Sequence, residues 1–153
     1  MNSYTKPLPR PDDTANAPHW AGAVSGELKF QRCTQCHRFR FPAAPICPYC
    51  RSRGSQWEAA SRQGVVESFC RFHKAYWPGF ADELPYLVIQ VLLDSGVRMY
   101  SNLVGVPSKD VRIGMRVEAV FVAVTPEVTL VKFEPAGLSP LDQARMPLQT
   151  EAN

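Results

Sequence analysis

The sequence has 153 residues, of which 45% are hydrophobic and 20% are charged, with a net charge of +3. These are globular values, so they exclude a disordered chain and fit one ordinary domain or a small module followed by a compact one. The apolar runs are too short to span a bilayer, and the proline-bearing, charged start shows no secretory signal. We therefore expect a protein of the reducing cytoplasm with no membrane partner.

Residues 1–17 are predicted to be a flexible segment, because prolines and charges interrupt them and no apolar run occurs. A short helix is predicted to begin at Pro18, with Asn16 near its N-cap, and to end at Gly26. Two turns of helix do not persist alone in water, so this helix must dock on other elements. Trp20 is its predicted anchor.

Two C-x2-C pairs lie in one short segment, as Cys33, Cys36, Cys47 and Cys50. Four thiolates at this spacing are the ligand set of a closed tetrahedral metal site, and zinc is favoured over iron. Two disulfides are the alternative, but they need an oxidising compartment, and pairs this close in sequence make strained bonds. Because four protein sulfurs leave no open coordination position, we expect one structural Zn²⁺ rather than a catalytic one.

The cysteines are predicted to lie in a small ribbon. Residues 28–32 alternate between apolar and polar and predict a strand, with residues 38–41 as its hairpin partner and residues 52–61 as a linker to the rest of the chain. A ribbon of about 30 residues is too small to own a core, so the metal is expected to supply its folding energy.

Basic residues concentrate around the cysteines. Residues 1–60 carry eight Lys and Arg against four Asp and Glu, whereas residues 61–153 carry nine against ten. Six cations and no acid occur between residues 28 and 53: Lys29, Arg32, Arg38, Arg40, Arg51 and Arg53. They can offset the negative charge of a zinc–thiolate centre, or they can meet a phosphorylated ligand or nucleic acid, and the sequence leaves both open.

From residue 64 onwards, short apolar runs separated by turn residues predict five strands, at residues 64–73, 86–93, 98–104, 116–124 and 129–134. Five strands without a long helix favour a small Greek-key barrel of the oligonucleotide/oligosaccharide-binding (OB) type over a sandwich, which needs about seven strands. The predicted organisation is a flexible segment at 1–17, a helix plus ribbon at 18–60, a barrel at 61–135 and a tail at 136–153.

A long loop between the first two barrel strands carries Tyr76, Trp77 and Phe80. In this barrel type the first long loop borders the ligand-binding face. Exposed aromatic side chains lower solubility unless they cover something, so these three either pack on the barrel end or the ribbon, or bind a ligand or partner. Both interpretations stay open.

The sequence offers no independent active site. His37 could replace a cysteine as a metal ligand, but four cysteines already saturate the site. His73 and Lys74 form a conceivable acid–base pair, although a solvent-facing strand end is the simpler interpretation. Cys70 shares the alternation of Val66 and is therefore predicted to be a small buried residue rather than a nucleophile.

Several segments together match a known pattern: the tryptophan-bearing helix, Gly26 through Cys36, Phe41-Pro42, the Cys47-Pro-Tyr-Cys50 turn, and residues 64–69, 84–88 and 113–117. With them the chain resembles, over about residues 18–135, the bacterial and archaeal zinc-ribbon/OB-fold proteins associated with acyl-CoA metabolism. The resemblance implies a mainly β chain in which a short helix and a rubredoxin-like zinc ribbon precede a five-stranded OB-fold barrel. Because the connection between Val104 and Ile113 is short, we expect only a turn where the family usually has a helix.

The resemblance also implies a function. Such proteins are non-catalytic accessory subunits of thiolase-fold or hot-dog-fold acyl-CoA enzymes, which they stabilise, and whether the CoA thioester contacts this chain is left open. The residues expected to contact CoA or the partner are Trp20, Lys29, Arg32, Arg38, Arg40, Tyr76, Trp77 and Phe80. A single-stranded nucleic-acid-binding module is the alternative, which the acidic balance of the barrel half disfavours.

Overall fold

A computed structural model of the chain describes residues 4–137. This part contains one α-helix and eight β-strands, and the strands form two antiparallel sheets. The elements in chain order are α1 (Ala17–Val24), β1 (Lys29–Cys33), β2 (Phe39–Arg40), β3 (Ser55–Ala59), β4 (Gln63–Phe72), β5 (Tyr86–Leu93), β6 (Arg98–Ser101), β7 (Arg116–Ala123) and β8 (Thr129–Pro135). Within this described part no helix is long and apolar enough to cross a membrane.

Helix α1 has Asn16 as its N-cap and a proline in its first turn, as the sequence predicts. It ends at Val24, and Gly26 follows in the left-handed conformation at φ 72°. The predicted anchor was wrong. His19 is 2% exposed and faces the interior together with Ala23, one turn further along, whereas Trp20 lies to the side and is half-buried.

His19 is held as a neutral ring inside an aromatic cluster. Its Nδ1 lies 3.0 Å from the carbonyl oxygen of Lys29, which only accepts, so Nδ1–H donates. The ring stacks on Phe30 at 5.7 Å between centroids and lies 4.6 Å from Phe41. Burial lowers the pKa of His19 below its usual 6.5, and the bond to the Lys29 carbonyl opposes that effect only in part.

The buried His19 should make stability depend on pH. Because its pKa is lowered in the folded chain, the unfolded chain binds more protons just below pH 6.5, so the free energy of unfolding should fall as the pH drops from 7.5 to 5.5. Thermal unfolding across this range, with zinc content monitored, measures the slope. His19→Asn should be less stable but show a shallower slope of stability against pH. Equal slopes would contradict the assignment.

The ribbon is a three-stranded sheet in the order β2-β1-β3. Strand β1 pairs with β2 at Gln31 and Arg40, and with β3 along its whole length from Lys29 to Cys33. The prediction of a linker over residues 52–61 was therefore wrong. Strand β3 is largely exposed, so it lacks the apolar alternation that marks a strand in sequence, and it exists because β1 supplies its hydrogen bonds.

The second sheet is the predicted five-stranded barrel, in the order β6-β5-β4-β7-β8. It closes where Leu103 and Phe133 form a parallel bridge: the amide of Phe133 donates to Asn102, and the amide of Val104 donates to Phe133. The third strand ends at Ser101 rather than at Val104 as predicted, because the chain there leaves β5 and turns to β8. Between residues 104 and 113 there is only a 3-10 turn, Ser108–Asp110, as expected.

A β-bulge between Val66 and Ser68 interrupts the pairing of β4 with β5. Before the bulge Val66 faces the core with no exposed surface, whereas after it Ser68 and Cys70 face outward. The prediction that Cys70 is buried was wrong for this reason. The alternation on which it rested is reversed by one extra residue in the strand.

One hydrophobic core runs through the ribbon and the barrel. Leu28 and Phe30 from the ribbon belong to the same cluster as Val66, Ile89 and Phe133 from the barrel. Ribbon and barrel are thus packed against each other.

Residues 4–10, within the segment predicted to be flexible, contact the aromatic loop. The Lys6 ammonium pairs with Glu83 and lies 4.8 Å from the ring centroid of Phe80. A Cβ at Gly79 would come within 2.6 Å of the Thr5 hydroxyl, so the close approach needs a glycine. Of the tail predicted at 136–153, residues 138–153 lie outside the described part. The division of the chain into four segments stays a prediction.

Candidate metal centre and surrounding surfaces

Two similar turns present the four cysteines. In the first, the amide of His37 donates to the carbonyl of Cys33 at 3.0 Å, and in the second the amide of Arg51 donates to Cys47 at 2.9 Å. Each turn ends in a left-handed residue, with φ 59° at His37 and 60° at Arg51. The repeated geometry follows from the repeated C-x2-C spacing, and it directs both sulfurs of each pair to one point.

The four sulfur atoms fit one tetrahedral zinc ion. All four lie within 4.8 Å of one another, with Cys33 to Cys50 and Cys36 to Cys47 both at 3.6 Å. Zinc–sulfur bonds of about 2.3 Å place tetrahedral sulfurs about 3.8 Å apart, close to the two separations of 3.6 Å, whereas a disulfide would need about 2.05 Å. The site is therefore able to bind one Zn²⁺ through four thiolates, with no ligand position left for water.

Hydrogen bonds favour the thiolate form of Cys33, one of the four sulfurs that zinc requires as thiolates. The Ser52 hydroxyl lies 3.0 Å from the Cys33 sulfur, and the amides of Gln35 and Cys36 donate to the same atom at 3.4 and 3.5 Å. The hydroxyl and these amides lower the pKa of Cys33 to about 5. Ser52 was missed from the sequence, although a hydroxyl two residues beyond the second cysteine pair was a visible signal.

Three of the six basic residues of the ribbon have partners within it. Lys29 pairs with Glu27 at 2.9 Å, and Arg32 pairs with Glu58 at 2.9 Å. Arg40 is only 5% exposed and donates through Nε and Nη2 to Gln31 and Ala44, so it braces the ribbon and has little surface left to contact a ligand or partner.

The other three basic residues, Arg38, Arg51 and Arg53, are exposed and form no ion pair within the described residues. The Arg38 guanidinium lies 4.8 Å from the ring centroid of Tyr49, which is itself 52% exposed. This side of the ribbon carries the net positive charge that the sequence predicts.

The aromatic loop divides into a packed part and an exposed part. Phe80 stacks on Tyr86 at 4.7 Å, and Tyr86 stacks on Phe72 at 5.0 Å, so Phe80 packs on the barrel rather than on the ribbon. Tyr76 and Trp77 are 66% and 57% exposed. Packing therefore accounts for Phe80, while Tyr76 and Trp77 stay available to a ligand or partner.

Trp20 borders a cavity of about 250 Å³ between α1, the ribbon and the barrel, together with His19, Phe41 and Lys132. Burial lowers the pKa of Lys132, with Lys6 adding to that effect. The candidate contact residues thus lie in three places: the ribbon surface, this cavity and the aromatic loop.

Within residues 4–137 the groups considered for catalysis do not form a site. Cys70 and His73 are both exposed, and neither side chain makes a hydrogen bond in this part of the chain. A nucleophile needs a base within hydrogen-bonding reach, and neither has one here.

The geometry defines a zinc-ribbon/OB-fold protein, and comparisons with known proteins identify the family. Residues 20–56 match the model of the ChsH2 rubredoxin-like zinc ribbon domain, and residues 57–122 match that of the ChsH2 C-terminal OB-fold domain. A DUF35 domain-containing scaffold protein of Methanothermobacter thermautotrophicus is 35% identical over 101 residues, which cover 65% of this chain and 75% of that protein. The chain belongs to this DUF35 family of ChsH2-like proteins.

The names of two further similar proteins refer to enzymes, a hydratase and an aldolase. A probable enoyl-CoA hydratase alpha subunit of Thermomonospora curvata is 36% identical over 129 residues, and the match covers 84% of this chain but only 40% of that protein. The solved structure of an Ltp2-ChsH2(DUF35) aldolase has a chain that is 35% identical, with a TM-score of 0.74 over 86% of this chain and 99% of that one.

Proposed function

We propose that this chain is a non-catalytic, zinc-containing accessory subunit of an acyl-CoA-processing enzyme. The observation that carries the proposal is the match to 99% of a chain in the Ltp2-ChsH2(DUF35) aldolase, at 35% identity. The partner would be a thiolase, a thiolase-like aldolase or a hot-dog-fold hydratase. The names of the relatives, which include a hydratase subunit and an aldolase, support an enzyme of this kind.

The chemistry of the chain supports an accessory role. Four cysteine ligands saturate a zinc ion, so the metal can hold the ribbon together but cannot activate water or polarise a substrate carbonyl. The ordinary place for such a set of reduced thiolates is a reducing cytoplasm.

The same subunit could help to hold the CoA thioester. Guanidinium groups suit phosphate geometry, and Arg38, Arg51 and Arg53 are exposed without an acidic partner in the described part of the chain. Lys29 and Arg32 would first have to release Glu27 and Glu58, so they are weaker candidates.

A mild affinity purification from the cytoplasm in which the chain is naturally made tests the proposal. We expect a thiolase-, aldolase- or hydratase-like protein to be retained in stoichiometric amount, after nuclease treatment, and to be identified by mass spectrometry. The tag alone, carried through the same steps, is the control. Retention of RNA or of DNA-processing proteins instead would favour the nucleic-acid-binding module and overturn the accessory role.

A further inference from the structure

Strand β4 after its bulge, together with β5 and β6, presents one outward surface of the barrel. The strand register places Ser68, Gln90 and Tyr100 in one row across the three strands. Phe72 and Tyr86 form a second row, and Cys70 lies between the two on β4. We refer to these six residues as the neutral face.

The neutral face is rich in uncovered aromatic surface. Tyr100 is 71% exposed, and its hydroxyl accepts a hydrogen bond from Gln90 at 3.2 Å. At the opposite end Phe72 and Tyr86 stack on each other, and Tyr76 meets the edge of Phe72 at 6.1 Å between centroids. The exposed part of the aromatic loop therefore continues the face.

The six residues of the neutral face carry no charge, and the aromatic loop brings one cation to its far end, where the Lys74 ammonium lies 5.7 Å from the ring centroid of Tyr76. Beyond Gln90 and Tyr100, within the described residues, the next charged groups are Glu67 and Arg98, which bond to each other through two contacts of 2.7 and 2.8 Å. A nucleic acid needs cations along its phosphates, and an anionic membrane needs them as well. In contrast, the centres of protein–protein interfaces are depleted in charge and enriched in tyrosine, tryptophan and phenylalanine.

We propose that the neutral face is the surface through which this subunit docks on its partner enzyme, against a protein surface with an apolar, uncharged centre. The inference rests on the proposed function and goes beyond it, because it assigns the docking to the outer side of β4–β6 rather than to the basic ribbon. The ribbon cations then lie at the rim of the interface or face the CoA phosphates.

A pair of matched variants tests the docking surface. Tyr100→Glu places a charge in the neutral face, whereas Ile113→Glu places one at a side chain of the same 71% exposure. Ile113 lies in the loop before β7, which pairs with the edge of β4 opposite to β5. The next residue, Gly114, donates its amide to the carbonyl of Val66 on β4. Both side chains are exposed, so both variants should keep their zinc content and melting temperature. In the native purification Tyr100→Glu should retain at least tenfold less of the enzyme than the unaltered chain. Ile113→Glu should retain as much enzyme as the unaltered chain.

The thiol of Cys70 gives a second readout without any substitution. It is exposed in the middle of the neutral face, whereas zinc protects the other four thiols. Iodoacetamide should alkylate Cys70 readily in the free chain and at least tenfold more slowly in the complex with the enzyme, as measured by peptide mass.

Four outcomes would overturn the inference. Unchanged enzyme retention by Tyr100→Glu, or equal alkylation of Cys70 in the free chain and the complex, would place the docking elsewhere while leaving the accessory role intact. Concentration-dependent dimers of the free chain that Tyr100→Glu abolishes would assign the face to a second copy. If the unaltered chain retains no acyl-CoA enzyme at all, the proposed function fails, and this inference fails with it.

Discussion

Substitution of Cys36 by serine is expected to abolish zinc binding and unfold the ribbon. Three sulfurs and a hydroxyl no longer form the closed four-thiolate site, and structural zinc supplies on the order of 10 kcal/mol to domains of this kind. The ribbon strands β1 to β3 are too few to persist without it, and β1 carries Phe30 into the shared core. Zinc content by mass spectrometry or a colorimetric chelator, together with thermal unfolding, measures the loss. Retention of the acyl-CoA enzyme should disappear as well, because an unfolded ribbon withdraws Leu28 and Phe30 from the core that supports the barrel strands.

Cys70→Ser is the matched control, because it also exchanges one thiol for a hydroxyl but at an exposed position outside the metal centre. It should keep one zinc per chain and an unchanged melting temperature. If Cys36→Ser kept its zinc and its stability, the four-cysteine site would not be what folds the ribbon.

The metal centre could be predicted from sequence because its geometry is local. Each C-x2-C pair fixes its own turn, and the two left-handed residues, His37 and Arg51, occupy equivalent places after the cysteines. The contribution of Ser52 could not be read with the same certainty. Its hydroxyl reaches the sulfur of Cys33, which lies 19 residues earlier in the chain, only once the two cysteine turns have come together.

The barrel strands were also predictable, since their apolar residues alternate along the chain. The errors arose where distant partners decide the structure. Strand β3 has no pattern of its own and depends on β1, and the bulge after Val66 reverses the faces of β4 so that Cys70 points outward. The sequence of one strand does not show which strand it pairs with or where a bulge interrupts the pairing.

The basic cluster of the ribbon shows a further limit. The sequence segment between residues 28 and 53 contains six cations and no acid, which left open whether the cations offset the zinc–thiolate charge or meet a ligand. The fold brings Glu27 and Glu58 from just outside this segment to Lys29 and Arg32. Composition therefore gave the sign of the charge correctly but did not show which of the cations have acidic partners.

Truncation of Phe30 to alanine is expected to cause the largest loss of stability that leaves the metal in place. Phe30 has no exposed surface, and its ring lies 5.7 Å from His19 and 5.4 Å from Phe41, at the point where ribbon, helix and barrel meet. Removing such a ring from a packed core costs about 3–5 kcal/mol, equivalent to about 10 °C in melting temperature for a chain of this size. Thermal or chemical denaturation measures the change.

The zinc content of Phe30→Ala separates the two contributions to the stability of the chain, metal binding and core packing. None of the four ligands is altered, so one zinc per chain should remain while the melting temperature falls. Phe30→Leu, which keeps most of the apolar volume, should lose less than half as much stability. A loss below about 1 kcal/mol for Phe30→Ala, as an exposed residue would give, would contradict the shared core. The expected result is that zinc folds the ribbon and that Phe30 packs the folded ribbon against the barrel.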